Sequence, residues 1–265
     1  MRSKSIGIFD SGLGGLTAVK ELIRKMPKED IVYFGDTGRV PYGTRSKETI
    51  IKYTMQDIKF LMQHNIKMII IACGTASSVA LDSVKEQFNI PMIGVVDASI
   101  EAALRSTKTN KIAVLGTNGT IGSGAYQNKL NALGFEVFPI ACPLFVPLVE
   151  NNYLTNEATY LIAQDYLSPL MGKGIDTIIL GCTHYPLLKV VISDIMGSSV
   201  ALIDSGAETV SIAYNRLKAD DLLNETGGKQ EFFVSDSIAD FSHLASLFLE
   251  KEITGKVNKV DIERY

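Results

Sequence analysis

The chain has 265 residues, 46% of them apolar and 21% charged, a balance that suits one large or two small globular domains with a sizeable core. With 26 Lys+Arg against 29 Asp+Glu, its net charge of −3 offers no electrostatic footprint for nucleic acid or for a membrane surface. No apolar run approaches the roughly 18 residues of a membrane span, and Met1–Ser5 passes into Ile6–Asp10 too soon for a signal-peptide core.

In chain order, Ser5–Phe9 reads as a strand ending in Asp10-Ser11-Gly12-Leu13-Gly14-Gly15. Leu16, Val19, Leu22 and Ile23 at helical spacing follow, closed by Pro27. A second strand, Asp30–Phe34, leads to Gly35-Asp36 and Val40-Pro41-Tyr42-Gly43, and Lys47–His64 carries helical periodicity. The third strand, Met68–Ala72, delivers Cys73, with Thr75, Ala76 and Ser77 suited to a helix start. Met92–Val96 is a fourth strand, ending at Asp97. The plan then repeats: Lys111–Leu115 ends in Gly116-Thr117-Asn118-Gly119-Thr120, with a helix from about Ser123. Glu136–Ile140 precedes Cys142 and the run Phe145–Glu150. A helix over Asn156–Leu170 leads to Asp176–Gly181 and Cys182, and Val200–Ile203 closes at Asp204-Ser205-Gly206. Beyond it come a helix over Thr209–Leu223, a strand over Glu231–Ser235 and a helix over Ile238–Leu249. Lys251–Tyr265 is expected to be a solvated end.

Strands alternating with helices of this length predict α/β layers with parallel sheets. Matching strands keep a near-constant separation, Ile6 with Ile112 and Cys73 with Cys182, as in an internal duplication of a four-strand unit. The expected fold is two pseudo-symmetric, doubly wound α/β domains, residues 1–97 plus 207–265 and residues 98–206, with parallel sheets facing each other across a central cleft. Ligands of such sheets sit at the C-terminal strand ends. Asp10, Asp36, both strand-end cysteines and the Thr117/Thr120 loop are therefore expected in one cleft.

Two opposed thiols make chemical sense there. Inverting a carbon acid requires taking a proton from one face and returning one to the other, and two acid/bases do this without rearrangement. Thiols suit the task because helix N-termini and cationic neighbours lower their pKa. His184 stands two residues from Cys182, and Asp10 is expected to reach Cys73 across adjacent strand ends.

Blander readings apply elsewhere. Cys142 is expected in the core, and His64 and His243 on the surface. Asp97 and Asp204 also suit helix caps. The loop Asp10–Gly15 lacks the spacing of a nucleotide-binding motif. Three cysteines without C-x-x-C spacing imply neither a disulfide framework nor a metal site, and a reducing, cytoplasmic compartment is expected.

Five stretches together carry a family resemblance: Asp10-Ser11-Gly12-x-Gly14-Gly15; Gly35-Asp36 with Pro41-Tyr42-Gly43; Cys73-x-Thr75-Ala76-Ser77; Phe145–Glu150; and Gly181-Cys182-Thr183-His184-Tyr185-Pro186-Leu187. The chain resembles the bacterial glutamate racemases of the aspartate/glutamate racemase superfamily. The resemblance implies cofactor-independent interconversion of L- and D-glutamate, supplying D-glutamate for peptidoglycan, with a homodimer as the expected assembly. It implies Cys73 and Cys182 as the opposed bases, Asp10 assisting the first, and His184 with Glu150 the second. Ser11, Tyr42, Gly43, Gly74, Thr75 and Thr183 would hold substrate, with Thr117 and Thr120 further candidates. Alternatives are a racemase of a related acid such as aspartate, or a binding or regulatory module on this scaffold. The chain departs from the pattern at Gly74, where the family usually has asparagine. The backbone N–H remains but a side-chain contact to substrate is lost, a difference of about 1.5–3 kcal/mol.

Overall fold

The computed structural model describes residues 1–253 and 256–265; the side chains of Asp240 and His243 lie outside the described residues, and with them the expectation for His243. Two all-parallel sheets form the frame. The first has β1 (Ser5–Asp10), β2 (Ile31–Gly35), β3 (Ile66–Ile71) and β4 (Met92–Gly94), joined by β9 (Gln230–Val234) and β10 (Val257–Lys259) in the order β10-β9-β2-β1-β3-β4. The second has β5 (Lys111–Gly116), β6 (Glu136–Ala141), β7 (Thr177–Leu180) and β8 (Ala201–Asp204) in the order β6-β5-β7-β8. The order β2-β1-β3-β4 recurs as β6-β5-β7-β8, so the duplication seen in the spacing is also one of topology. Central strands are continuous apolar runs because helices cover both faces of a parallel sheet, and Ile6, Ile8, Ile69–Ile71 and Ile112–Leu115 are fully buried. Pro139, which has no N–H to give, sits on the edge strand β6.

The helices are α1 (Leu16–Lys25), α2 (Lys47–Leu61), α3 (Gly74–Val79), α4 (Leu81–Val84), α5 (Val95–Ser106), α6 (Asn118–Gly122), α7 (Ala125–Ala132), α8 (Phe145–Glu150), α9 (Glu157–Leu167), α10 (Lys189–Met196), α11 (Ser205–Ala219) and α12 (Ile238–Leu249). Two helices and the C-terminal segment differ from expectation. Val95 and Val96 open α5 rather than end a strand, because Val96, Ile100 and Ala103 pack with Ile112, Val114 and Ile179 of the second sheet. Asp97 therefore lies in a first helical turn, paired with Lys129 at 2.5 Å. The helix α11 starts at Ser205, not Thr209, because the Asp204 carboxylate caps it, accepting from the N–H groups of Gly206 and Ala207 at 3.1 Å. The C-terminal segment is not simply solvated: β10 extends the first sheet, Ile262 is buried and the Tyr265 ring meets Phe60 edge-on.

Register places the site. Phe9 pairs with Ile71, so Asp10–Gly15 and Cys73 leave the first sheet side by side. Leu115 pairs with Leu180, and the Gly181 N–H bonds the Leu115 carbonyl at 2.8 Å, so Thr117 and Cys182 leave the second sheet likewise. No helix among the described residues is long and apolar enough to cross a membrane.

Candidate active site

A cavity of roughly 330 Å³ lies between the C-terminal ends of the two sheets. Ser11, Cys73, Gly74 and Thr75 line it from the first half. Thr117, Glu150, Cys182, Thr183 and His184 line it from the second. Pro41–Thr44 line one side and the short helix α8 another, where helical spacing turns Val146, Pro147 and Glu150 to the cavity.

Cys73 is the N-cap of α3, its sulfur accepting from the Ala76 N–H at 3.4 Å while its thiol donates to the Ser11 Oγ at 3.4 Å. Burial pushes this thiol up to about 12, and the nearby Asp10 carboxylate adds to the rise. Cys182 has a different neighbour. Its sulfur is 3.9 Å from His184 Nδ1, and His184 Nε2 is 3.0 Å from Glu150 Oε1. Burial opposes the imidazolium, but hydrogen bonds and charge from Cys182 and Glu150 outweigh it and push His184 up to about 10. The ring is held edge-on to Phe248, 5.3 Å between centroids, a contact from the C-terminal helix that sequence spacing did not announce.

Other expected site residues are placed less directly. Asp10 is fully buried behind the cavity wall; its carboxylate accepts from the Gly12 N–H at 3.0 Å and from the Thr183 hydroxyl at 3.4 Å. Its side-chain partner, Thr183, is thus on the Cys182 side, and the hydroxyl that meets Cys73 is that of Ser11. Burial raises the Asp10 pKa above the ordinary carboxylate range, against the pull of His184 and backbone N–H groups. Tyr42 lines the cavity, but its hydroxyl is bound to Asp36 and Asp57 in a buried cluster. Asp36 belongs to that cluster, not to the cavity. Thr117 bridges Thr75 at 2.9 Å and Thr120 at 3.1 Å, with Thr120 buried behind it. Cys142 is core, as expected, with its thiol on the Ile140 carbonyl. His64 is half-buried between Phe60 and Phe233 rather than free on the surface.

Gly74 acquires a second meaning. A Cβ there would overlap the Gly181 carbonyl oxygen and stand 3.1 Å from its carbon and 3.6 Å from Cys182 Cα. The backbone after one cysteine is packed directly against the backbone before the other. Among the described residues no group of three or more His, Cys, Asp or Glu side chains is placed to hold a metal ion.

Residues 11–213 match the family described as Asp/Glu/hydantoin racemase. A glutamate racemase of Geobacter metallireducens is 45% identical over 264 residues, covering 98% of this chain and 97% of that protein. The chain belongs to the glutamate racemases of this family. Within the family, a Bacillus anthracis glutamate racemase superposes with a TM-score of 0.94 at 37% identity, over 98% of this chain and 99% of that one. The Francisella tularensis glutamate racemase, solved in complex with D-glutamate, gives 0.94 at 38% identity, each chain covered completely.

Proposed function

We propose that the chain is an amino-acid racemase that interconverts L- and D-glutamate by proton transfer at Cα between two cysteines. The observation that carries this reading is one cavity with a thiol from each half of a duplicated fold, beside relatives that are glutamate racemases. In the forward direction one thiolate takes the Cα proton and becomes a thiol. The opposite thiol gives its proton to the other face and becomes a thiolate. Net charge is unchanged, and the site is left set for the reverse reaction. Between the two transfers the Cα electron pair is delocalised into the carboxylate, which hydroxyl and backbone N–H donors at Ser11, Gly43, Gly74, Thr75 and Thr183 stabilise. Asp10 acts through Thr183 and the charge of His184, and Thr117 and Thr120 brace Thr75. The His184 imidazolium, oriented by Glu150, faces the Cys182 sulfur, whereas Cys73 sits in a buried, hydroxyl-lined niche that favours the thiol. The two faces are therefore unequal in the resting enzyme.

The two halves expected as residues 1–97 with 207–265 and residues 98–206 act as two bodies that open and close the cleft, with the start of α5 moving with the second sheet on which Val96 packs. The product serves cell-wall peptidoglycan synthesis from the cytoplasm, and a homodimer is the assembly that accompanies this reading, checked by light scattering. The activity itself is tested by polarimetry of L-glutamate with no added cofactor. Decay of rotation to zero is expected, since enantiomers are equal in free energy. Folded protein that leaves the rotation unchanged, or that racemises aspartate faster than glutamate, would overturn the assignment.

A further inference from the structure

Residues Val40 to Thr44 line the cavity, and Gly43 packs so closely on Thr117 that a Cβ there would stand 2.8 Å from the Thr117 Cβ. The loop is held from behind by a buried cluster. Arg39 Nε donates to Asp36 Oδ2 at 2.7 Å, and Nη2 donates to Asp57 Oδ1 at 2.9 Å. The guanidinium lies 4.1 Å from the Tyr53 ring centroid, and Nη1 reaches Gln56 at 2.5 Å and the C-terminal Glu263 at 3.3 Å. Asp36 Oδ1 accepts from the Ser235 hydroxyl at 2.8 Å. Asp36 and Asp57 are both wholly buried.

Counting hydrogens decides the protonation of this cluster. The Tyr42 Oη stands within hydrogen-bond distance of two carboxyl groups, at Asp36 Oδ2 and, at 2.8 Å, at Asp57 Oδ2. A phenol has one hydrogen to donate. The second contact is a hydrogen bond only if a carboxyl group supplies the proton; otherwise two lone pairs face each other in a dry interior. Both Asp36 oxygens already accept from other donors, Oδ2 from Arg39 and Oδ1 from Ser235. Asp57 accepts from Arg39 alone. Burial, reinforced by the Asp36 charge and opposed by Arg39 and Tyr42, raises Asp57 well above the ordinary carboxylate range. The proton therefore resides on Asp57 Oδ2. The chain runs from Asp57 to Tyr42 to Asp36.

We propose that Asp57 is a positioning residue for substrate, a neutral acid whose hydrogen bond to Tyr42 fixes the loop that presents the Gly43 backbone to the cleft. The inference rests on the racemase reading above and adds to it a residue of α2 that never touches substrate.

Steady-state kinetics with glutamate tests it on Asp57→Asn, Asp57→Ala and Tyr42→Phe. Losing the hold on a donor to a charged substrate group raises KM by about tenfold or more in Asp57→Ala and Tyr42→Phe, with kcat much less affected. Asp57→Asn recovers most of that loss, because its amide N–H donates to Tyr42 while its carbonyl accepts from Arg39 as the neutral acid does. An Asn variant as impaired as the Ala variant would show that an ionised carboxylate does the holding, and would overturn the proposal. So would unchanged KM in both Asp57→Ala and Tyr42→Phe. If Asp57→Ala does not fold, Tyr42→Phe against Asp57→Asn makes the same comparison. Wild-type protein without glutamate racemisation would refute the functional reading instead, so the two failures are told apart by the wild-type control.

Discussion

Replacing Gly74 by asparagine supplies the side chain that the family resemblance leads one to expect there, and an added amide contact alone would predict a gain of about 1.5–3 kcal/mol in substrate binding. The structure predicts the opposite sign. A Cβ at 74 overlaps the Gly181 carbonyl oxygen, and its 3.1 Å approach to the Gly181 carbon falls short of ordinary carbon contact. The obstacle is backbone, so it cannot rotate away, and the two segments must part by roughly 1 Å. Overpacking of this kind costs about 1–3 kcal/mol. It moves Cys73 and Cys182 apart, and a misplacement of about 1 Å costs on the order of 100-fold in rate. Because the segments belong to different sheets, opening the cleft relieves the overlap without unfolding. Gly74→Ala and Gly74→Asn should therefore lower kcat/KM by roughly 10- to 100-fold while stability falls by no more than the overpacking cost of about 1–3 kcal/mol. The assay is polarimetry from each enantiomer. Equal free energies of the enantiomers force kcat/KM to fall equally in both directions, an internal check on the data. A Gly74→Asn variant that matches or exceeds wild-type kcat/KM would refute the argument from packing.

Other expectations follow from the same geometry. His184→Gln should lower kcat by about 100-fold or more, with the asymmetry between faces visible in the substrate deuterium isotope effects and not in the ratio of kcat/KM values. His184 is raised from 6.5 to about 10, so its contribution to stability is complete below pH 6.5 and is lost as pH rises toward 10. Urea denaturation across that window should show the wild type losing its advantage over His184→Gln, and a constant difference would contradict the assignment. Lys67, buried against Glu29 at 2.6 Å with further bonds to the Arg2 and Leu222 carbonyls, should cost about 3–5 kcal/mol when changed to alanine; a chemical denaturation midpoint near wild type would exclude this. Cys142→Ala should lower the denaturation midpoint slightly and leave kcat intact, whereas loss of turnover would give that thiol an unforeseen role.

The central strands were legible because parallel sheets covered on both faces demand unbroken apolar runs, and Met68–Ile71 and Ile178–Leu180 are such runs. The cysteines were legible for the same reason, as the polar punctuation that ends them. Val95 and Val96 misled because β-branched residues continuing Met92–Gly94 read as strand, while the packing of Val96, Ile100 and Ala103 on the second sheet makes the segment helix. The C-terminal strand was hidden because Val257–Lys259 is too short to show a period and gains its partner from β9. At the site, the spacing brought Cys182, His184 and Thr183 together locally. It did not show the His184 contact with Glu150, which only the family resemblance suggested. Tyr42 shows the limit most clearly. Its place in a site-like motif was visible, but the turn of its hydroxyl toward Asp57 depends on a helix that packs from fifteen residues away. The contact between Gly74 and Gly181 is likewise a property of two halves docking, which no local pattern encodes.

The central claim is a proton transfer through two cysteines, and solvent deuterium tests it most directly. Wild-type enzyme turning over either glutamate enantiomer in D2O should place deuterium at Cα of the product from the first turnovers, while unreacted substrate stays protiated. Cys73→Ser and Cys182→Ser should each abolish racemisation. Product that keeps its original proton, or racemisation with exchange that persists in both serine variants, would contradict the account.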